Sequence, residues 1–217
     1  NNFGAGIVYE SFELENASSS DGQAVVTATG YVKENPDVEI TTEYVLPAGA
    51  NHIWINTSME NTGDTRYPAN ESEELLSGLA LSSEGLSTWL PGIGDNEEGR
   101  YSPGGNPALI EPWAALSGDR VTYGVWGASG SFDVYTASTT WVDPWLQHTL
   151  SAGESEQVNY AFYVGAHGGT GELSQYYAEQ HSEELGTISG DIETSAGESV
   201  PQATVVARQE GEDYTYT

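Results

Sequence analysis

Apolar and polar residues alternate along several segments of this chain, and this period of two limits the fold more than any other feature. Residues 22–32 (GQAVVTATGYV) and 37–46 (DVEITTEYVL) alternate on either side of a turn at 34–37, which predicts a hairpin. Residues 52–59 (HIWINTSM) alternate again before a turn at 61–64. Further segments with strand character are 120–126, 131–135, 139–142, 145–150 and 156–164.

Residues 68–112 lack this regular alternation and are rich in glycine and proline. A stretch of this length is too long for an ordinary connection between strands. We therefore expect a packed functional loop, or an excursion with short strands of its own.

One segment, 171–185 (GELSQYYAEQHSEEL), has helical spacing of its apolar residues, with Thr170 as a capping residue and Gly186 after its end. Residues 1–186 are therefore predicted to form a large antiparallel β-sandwich that ends in this helix. Residues 187–217 are predicted to begin a second, small β-domain or to donate a strand to a neighbour. The chain as a whole is predicted to be all-β.

The charge of the chain indicates its environment. It has 33 Asp and Glu against five Lys and Arg, a formal net charge of −28. Self-repulsion of this kind opposes the compact state, and about 1 M salt shortens the Debye length to about 3 Å. We expect an extracellular or cell-surface protein adapted to high salt, and an ordinary acidic secreted protein is the alternative.

The composition also limits which classes of partner this chain can bind. Few basic residues are available to meet phosphates, so no nucleic-acid partner is expected. No stretch approaches 18 apolar residues, so no membrane insertion is expected. The absence of cysteine excludes disulfides and thiolate sites. The remaining partners are carbohydrates or neighbouring protein subunits.

The tail resembles the start of a carboxypeptidase-regulatory-like (transthyretin-like) domain. Such domains open with an apolar-Gly-apolar strand and continue with a glycine turn and a Pro-x-x-Ala-x-Val segment. The matching residues are Ile188, Gly190, Ile192, Gly197, Pro201, Ala203 and Val205. One departure is that Ala203 follows Pro201 by two residues instead of three.

The body of the chain, about 38–169, is similar to the mutarotase-like β-sandwich module that precedes the catalytic domain in large secreted metallohydrolases of the polymerase-and-histidinol-phosphatase (PHP) type. The resembling segments are TTEYVL at 41–46, NTSMENTG at 56–63, LPGIG at 90–94, LSAGES at 150–155 and YVG at 163–165. PHP catalysis requires a His-x-His motif, which is absent here. The resemblance therefore implies a catalytic domain outside this chain.

The histidines offer one catalytic alternative. Mutarotase-like enzymes use a histidine pair with an acidic base, and His52 and His148 both lie in predicted strands, with Glu43 or Glu60 as acids. A strand histidine is more often a hydrogen-bonded structural residue. We therefore assign no catalytic residue from the sequence.

Two further groups are candidate binding residues. Asp95, Asn96, Glu97 and Glu98 lie between Gly94 and Gly99 and offer oxygen ligands to Ca²⁺, although in so acidic a chain a solvated charge run is the favoured interpretation. No other cofactor is expected. Large aromatic side chains stack on sugar rings or fill a core. Trp54 and Trp126 are predicted core residues, whereas the candidate ligand-binding residues, which lie beside turns, are Trp89, Trp113 and Trp145.

Three functional classes follow from these observations. The leading one is a non-catalytic accessory or binding module of a secreted, salt-adapted multidomain protein. The second is an extracellular structural or surface-assembly subunit of a filament, sheath or envelope. The third is a carbohydrate-active enzyme with a mutarotase-like fold.

Overall fold

The protein is mostly β-strand, as the alternation predicts. A computed structural model describes residues 6–16, 22–70, 74–95, 99–102, 104–105, 109, 111–127, 132–138, 140–166, 169–184, 186, 189–200, 203, 205, 207–208 and 215–216. Within these residues most of the strands form two packed antiparallel sheets, and one helix lies outside them. The predicted fold class, an all-β antiparallel sandwich with one C-terminal helix, is confirmed.

The large sheet contains most of the strands. In the described part of the chain it has nine strands, in the spatial order β1-β2-β3-β4-β14-β11-β10-β7-β8. Their bounds are β1 Ile7–Asn16, β2 Gln23–Val32, β3 Asn35–Pro47, β4 His52–Asn61, β7 Ser87–Leu90, β8 Gly94–Asp95, β10 Trp113–Ser117, β11 Thr122–Gly127 and β14 Ser155–Gly165.

The small sheet packs on one face of the large sheet. Its order is β5-β13-β12-β9, with β6 also paired to β13. These strands are β5 Leu75–Gly78, β6 Leu81–Ser82, β9 Gly99–Tyr101, β12 Asp133–Ser138 and β13 Trp141–His148. A separate pair, β15 Ala207–Arg208 and β16 Thr215–Tyr216, lies in the tail.

The alternation of side chains gives the large sheet two different faces. On its inner face, residues such as Met59, Val125 and Tyr160 pack against Val134 and Val142 of the small sheet and form the main core. The opposite, outer face of the large sheet carries a second cluster of buried aromatic residues. The inner face therefore forms the main core, whereas the outer face holds a separate aromatic cluster.

The helix α1 (Gly171–His181) covers part of this outer face. Leu173 is fully buried and lies directly above Gly124 of β11, where a Cβ atom would come within 2.5 Å of the leucine. The helix ends before the predicted residue 185 because Ser182 adopts a left-handed conformation and its N–H bonds back to the last turn. Thr170 stands at the N-cap, but its side chain makes no capping hydrogen bond.

Most of the predicted strands are present, with several differences in detail. The hairpin at 22–46 is β2 and β3, and the excursion at 68–112 contains five short strands of its own, β5 to β9. The two strands predicted at 139–142 and 145–150 are one continuous strand, β13. Strands β1 and β10 were not predicted from the sequence.

The tail after residue 186 presents several apolar side chains to solvent. Ile192, Val200 and Val205 are exposed, whereas Ile188 and Val206 lie outside the described residues. The division of the chain at residue 186 stays a prediction, as does the resemblance of the tail to a carboxypeptidase-regulatory-like domain.

Candidate functional site

A polar groove crosses three central strands on the outer face of the large sheet. It encloses about 380 Å³. Its outward-pointing lining comes from alternate positions of β3, β4 and β14: Thr41, Glu43, Asn56, Ser58, Gln157 and Asn159. The groove therefore offers amide and hydroxyl groups with a single carboxylate.

The strand register arranges these side chains in two rows. Glu43, Asn56 and Asn159 stand opposite one another across the three strands. Thr41, Ser58 and Gln157 form the next row in the same way. Cross-strand neighbours have Cβ atoms about 4.5–5.5 Å apart, so the six side chains form a compact grid on rigid strands.

Trp54 stands at one end of this grid. In the next row it lies between Val45 and Ala161, so its neighbours across the sheet are smaller than the indole. The indole is half-buried, and its ring contacts His52 and Trp126 in edge-to-face geometry, with ring centres 5.1 and 5.6 Å away. Trp54 is therefore held in place at the border between the groove and the aromatic cluster, not inside the core as predicted.

The aromatic cluster lies between the large sheet and α1. Trp113 and Trp89, two of the predicted ligand-binding residues, belong to it with exposures of 1% and 9%. This burial corrects the expectation that they form an open stacking surface, because the helix covers the sheet at this point. Trp126 is fully buried, as predicted.

Several polar atoms are buried within this cluster. The Nδ1 atom of His52 and the Nε1 atoms of Trp89 and Trp126 have no hydrogen-bond partner among the described residues. Burial lowers the pKa of His52 below its ordinary value of 6.5. Trp113 instead donates from Nε1 to Glu111 at 2.6 Å, and burial raises the pKa of this glutamate.

The two histidines proposed for a mutarotase-like pair lie apart. His52 is on the outer face of the large sheet, among Trp54, Trp126 and Tyr176. His148 points from the small sheet into the sandwich, where its Nε2 atom lies 2.6 Å from Ser77 Oγ. Because the large sheet separates them, they cannot act on one substrate together.

Trp145, the third predicted ligand-binding residue, lies on the other side of the molecule. It is half-buried on the outer face of the small sheet and lines a separate pocket there. The structure therefore brings Trp89 and Trp113 together in one cluster and leaves Trp145 apart from them.

The predicted Ca²⁺ ligands fall largely outside the described residues. Asn96, Glu97 and Glu98 lie outside them, and of Asp95 only the backbone in β8 is described. Among the described residues no group of three or more His, Cys, Asp or Glu is placed to hold a metal ion. The calcium site stays a prediction.

Sequence reasoning missed the groove, although the sequence contains a signal for it. At Asn56 and Ser58 of β4, and at Gln157 and Asn159 of β14, neutral polar residues occupy consecutive outward positions of a chain with 33 acidic residues. These pairs of neutral residues distinguish the two strands from an ordinary acidic surface. The order of the strands in the sheet, however, determines which residues lie next to these four on the surface.

No helix among the described residues is long and apolar enough to cross a membrane.

Comparisons with known proteins show solved structures with a similar fold, but they show no family for this chain. No family model matches the chain, and no curated protein matches it. Among solved structures it is similar to the GH36 α-galactosidase AgaA from Geobacillus stearothermophilus, with a TM-score of 0.52 and 13% identity over 76% of this chain. An AgaA A355E D548N structure in complex with raffinose gives a TM-score of 0.55 and 14% identity over 82% of this chain.

A third solved structure agrees with these two. The galactosidase domain of the α-galactosidase-sucrose kinase AgaSK matches with a TM-score of 0.54 and 13% identity over 81% of this chain. The chain spans 28–30% of the length of these three proteins. The β-sandwich part of the predicted resemblance is confirmed, whereas the relation to PHP-type metallohydrolases stays a prediction.

Proposed function

We propose that this chain is a non-catalytic, carbohydrate-binding β-sandwich module of a secreted, salt-adapted multidomain protein, and that it holds a neutral glycan in the groove beside Trp54. The observation that carries the proposal is the grid of neutral polar side chains next to a fixed indole. The three solved structures described above are α-galactosidases, and the region similar to this chain makes up under a third of each of them. That setting supports an accessory role.

The groove has the hydrogen-bonding capacity that a glycan requires. A sugar hydroxyl both donates and accepts, and the amides of Asn56, Asn159 and Gln157 together with the hydroxyls of Thr41 and Ser58 do the same. Their cross-strand register holds them on a rigid surface, which reduces the entropy lost on binding.

Trp54 supplies the apolar part of the contact. Aromatic rings present a flat apolar surface of the kind on which sugar rings stack. Because His52 and Trp126 already fix the indole from the side, little side-chain freedom is lost when a ligand packs on it.

The same geometry supports a non-catalytic role. Glycoside hydrolysis generally uses two carboxyl groups about 5–9.5 Å apart across the scissile bond. Glu43 is the one carboxylate among the residues that line the groove, and neither histidine completes a pair with it. The enzymatic alternative therefore has little support from this site.

Binding to soluble polysaccharides tests the proposal. The full chain should be retarded in native gels that contain a neutral glucan, galactomannan or xyloglucan. Asn56→Ala and Gln157→Ala should each weaken the affinity for the polysaccharide by roughly fivefold, because each variant loses about one hydrogen bond to the glycan. Trp54→Ala should abolish it, and Trp54→Phe should retain part of it.

Gln147→Ala is the matched control, since this exposed amide lies on the small sheet, away from the groove. It should bind like the unchanged chain. If no neutral polysaccharide binds, or if the groove variants bind as well as the control, the groove is not a glycan site. Glycosidase turnover that Glu43→Gln removes would contradict the non-catalytic role.

A further inference from the structure

A second pocket lies on the outer face of the small sheet, on the opposite side of the sandwich from the groove. It has a volume of about 200 Å³. Its lining combines two aromatic rings, one leucine, one cation and two carboxyl groups: Glu74, Leu76, Arg100, Tyr135, Asp143 and Trp145. This is smaller than the 300–1,000 Å³ of typical small-molecule pockets, so it suits a single sugar residue.

The strand register brings these groups together. Tyr135 of β12 stands directly opposite Asp143 of β13 on one side and Arg100 of β9 on the other. Trp145 follows Asp143 on the same face of β13. Three neighbouring strands therefore hold the cation, the acid and the rings side by side.

Arg100 is the distinctive member of the pocket. Its guanidinium carbon lies 4.7 Å from the centre of a Trp145 ring, a cation–π contact that fixes the plane of the group. The chain has only five Lys and Arg against 33 Asp and Glu. Even so, Arg100 forms no ion pair with any residue that the structure describes. Among the described residues no carboxylate pairs with its forked donors, which have the geometry to meet the carboxylate of a ligand.

We infer that this pocket binds the carboxylate of an acidic sugar, a uronate residue, with Arg100 as its bidentate partner. A neutral sugar fits less well, because the guanidinium already occupies the face of Trp145 on which such a ring would stack. A divalent cation also fits poorly, because Arg100 would repel it. The inference does not depend on the groove beside Trp54.

The remaining groups suit the rest of such a ligand. Asp143 is half-buried, and burial raises its pKa, so this carboxyl group repels a nearby anion less than an exposed aspartate would. Asp143, Glu74 and the Tyr135 hydroxyl are placed to receive the ring hydroxyls of the sugar. Leu76 offers an apolar surface to the ring.

Titration of the full chain with galacturonate, galactose and acetate tests the inference. The salt concentration is held at about 1 M to screen the overall negative charge. Tryptophan fluorescence and the indole N–H resonance of Trp145 report occupancy. Galacturonate should bind and shift the Trp145 signal, whereas galactose and acetate should bind at least about tenfold more weakly.

Arg100→Lys should weaken galacturonate binding by about tenfold or more, because an ammonium group lacks the forked geometry. Arg120→Lys is the matched control, as Arg120 is exposed in a turn, and it should leave binding unchanged. Asn56→Ala should also leave it unchanged, which separates this pocket from the groove. Equal binding of galactose and galacturonate, or an Arg100→Lys variant that binds normally, would overturn the inference.

Discussion

The Oγ atom of Ser77 lies 2.6 Å from the Nε2 atom of His148, on the inner face of the small sheet. The Tyr160 hydroxyl, from the large sheet, lies 3.2 Å from the same Oγ and donates to the carbonyl of Ser77 at 3.0 Å. His148 Nδ1 lies 3.0 Å from Glu156 Oε1, although the geometry of this contact is not that of a hydrogen bond. This network ties edge strand β5 to both sheets.

The order serine, histidine, carboxylate is also that of a hydrolase triad. Here the serine hydroxyl faces the interior, between His148 and Tyr160, and we interpret the network as structural. Ser77→Ala should lower the free energy of unfolding by about 1–3 kcal/mol, because His148 and Tyr160 would lose a buried partner. Urea denaturation measures this, with the exposed Ser189→Ala as control. Labelling of Ser77 by a fluorophosphonate probe would refute the structural interpretation.

The buried His52 should make stability depend on pH. Its folded-state pKa lies below 6.5, so below about pH 6.5 the unfolded chain takes up a proton that the folded chain does not. Proton uptake therefore favours the unfolded chain, and the folded chain loses stability as the pH falls from 6.5 to the folded-state pKa. His52→Phe keeps a ring in the cluster and removes the loss.

Urea denaturation of both proteins at several pH values between about 5 and 7.5 measures this effect. The stability of His52→Phe relative to the unchanged chain should rise as the pH falls. The difference in stability between the two proteins at about pH 7.5 is the internal reference, because His52 is then neutral in both the folded and the unfolded chain. If the difference in stability between the two proteins stays constant with pH, His52 has the same pKa in the folded and the unfolded chain.

The contact between Gly124 and Leu173 should control the docking of α1. A Cβ atom at Gly124 would lie 2.5 Å from Leu173 Cδ2, so Gly124→Ala should cost about 1–3 kcal/mol through overpacking. Leu173→Ala should cost about 2–5 kcal/mol through the cavity it leaves. The double variant should lose less than the sum of the two, because the smaller side chain makes room for the new methyl group.

Gly186→Ala serves as the control for this cycle, since a Cβ atom at Gly186 meets nothing within 4 Å. Its effect should stay within about 0.5 kcal/mol. Additive losses in the double variant would mean that Gly124 and Leu173 are not coupled.

The acidic composition should make the protein depend on salt. With a formal net charge of −28, repulsion within the folded state weakens as the Debye length falls from about 10 Å at 0.1 M to about 3 Å at 1 M. The melting temperature should therefore rise markedly over this range of NaCl. Sucrose, which stabilises proteins without screening charge, is the control. A melting temperature that stays flat or falls in NaCl would contradict salt adaptation.

The sequence by itself determined the class of the fold and much of its strand content. Alternation with a period of two depends on neighbours along the chain, so it predicted the hairpin of β2 and β3 and the two-faced strand β4. Local helical spacing likewise placed α1, and the apolar residues Leu173 and Tyr177 of this helix are buried. Such local patterns require no knowledge of which strands become neighbours.

Only the tertiary structure decided which of these faces form a site. Asn56 and Asn159 are about a hundred residues apart in sequence, yet they are direct partners because β14 inserts between β4 and β11. The same long-range order placed α1 over Trp113, which buried a residue expected at the surface, and left Trp145 in a pocket with Arg100. Alternation gives each strand two faces, but the pairing of distant strands determines what each face meets.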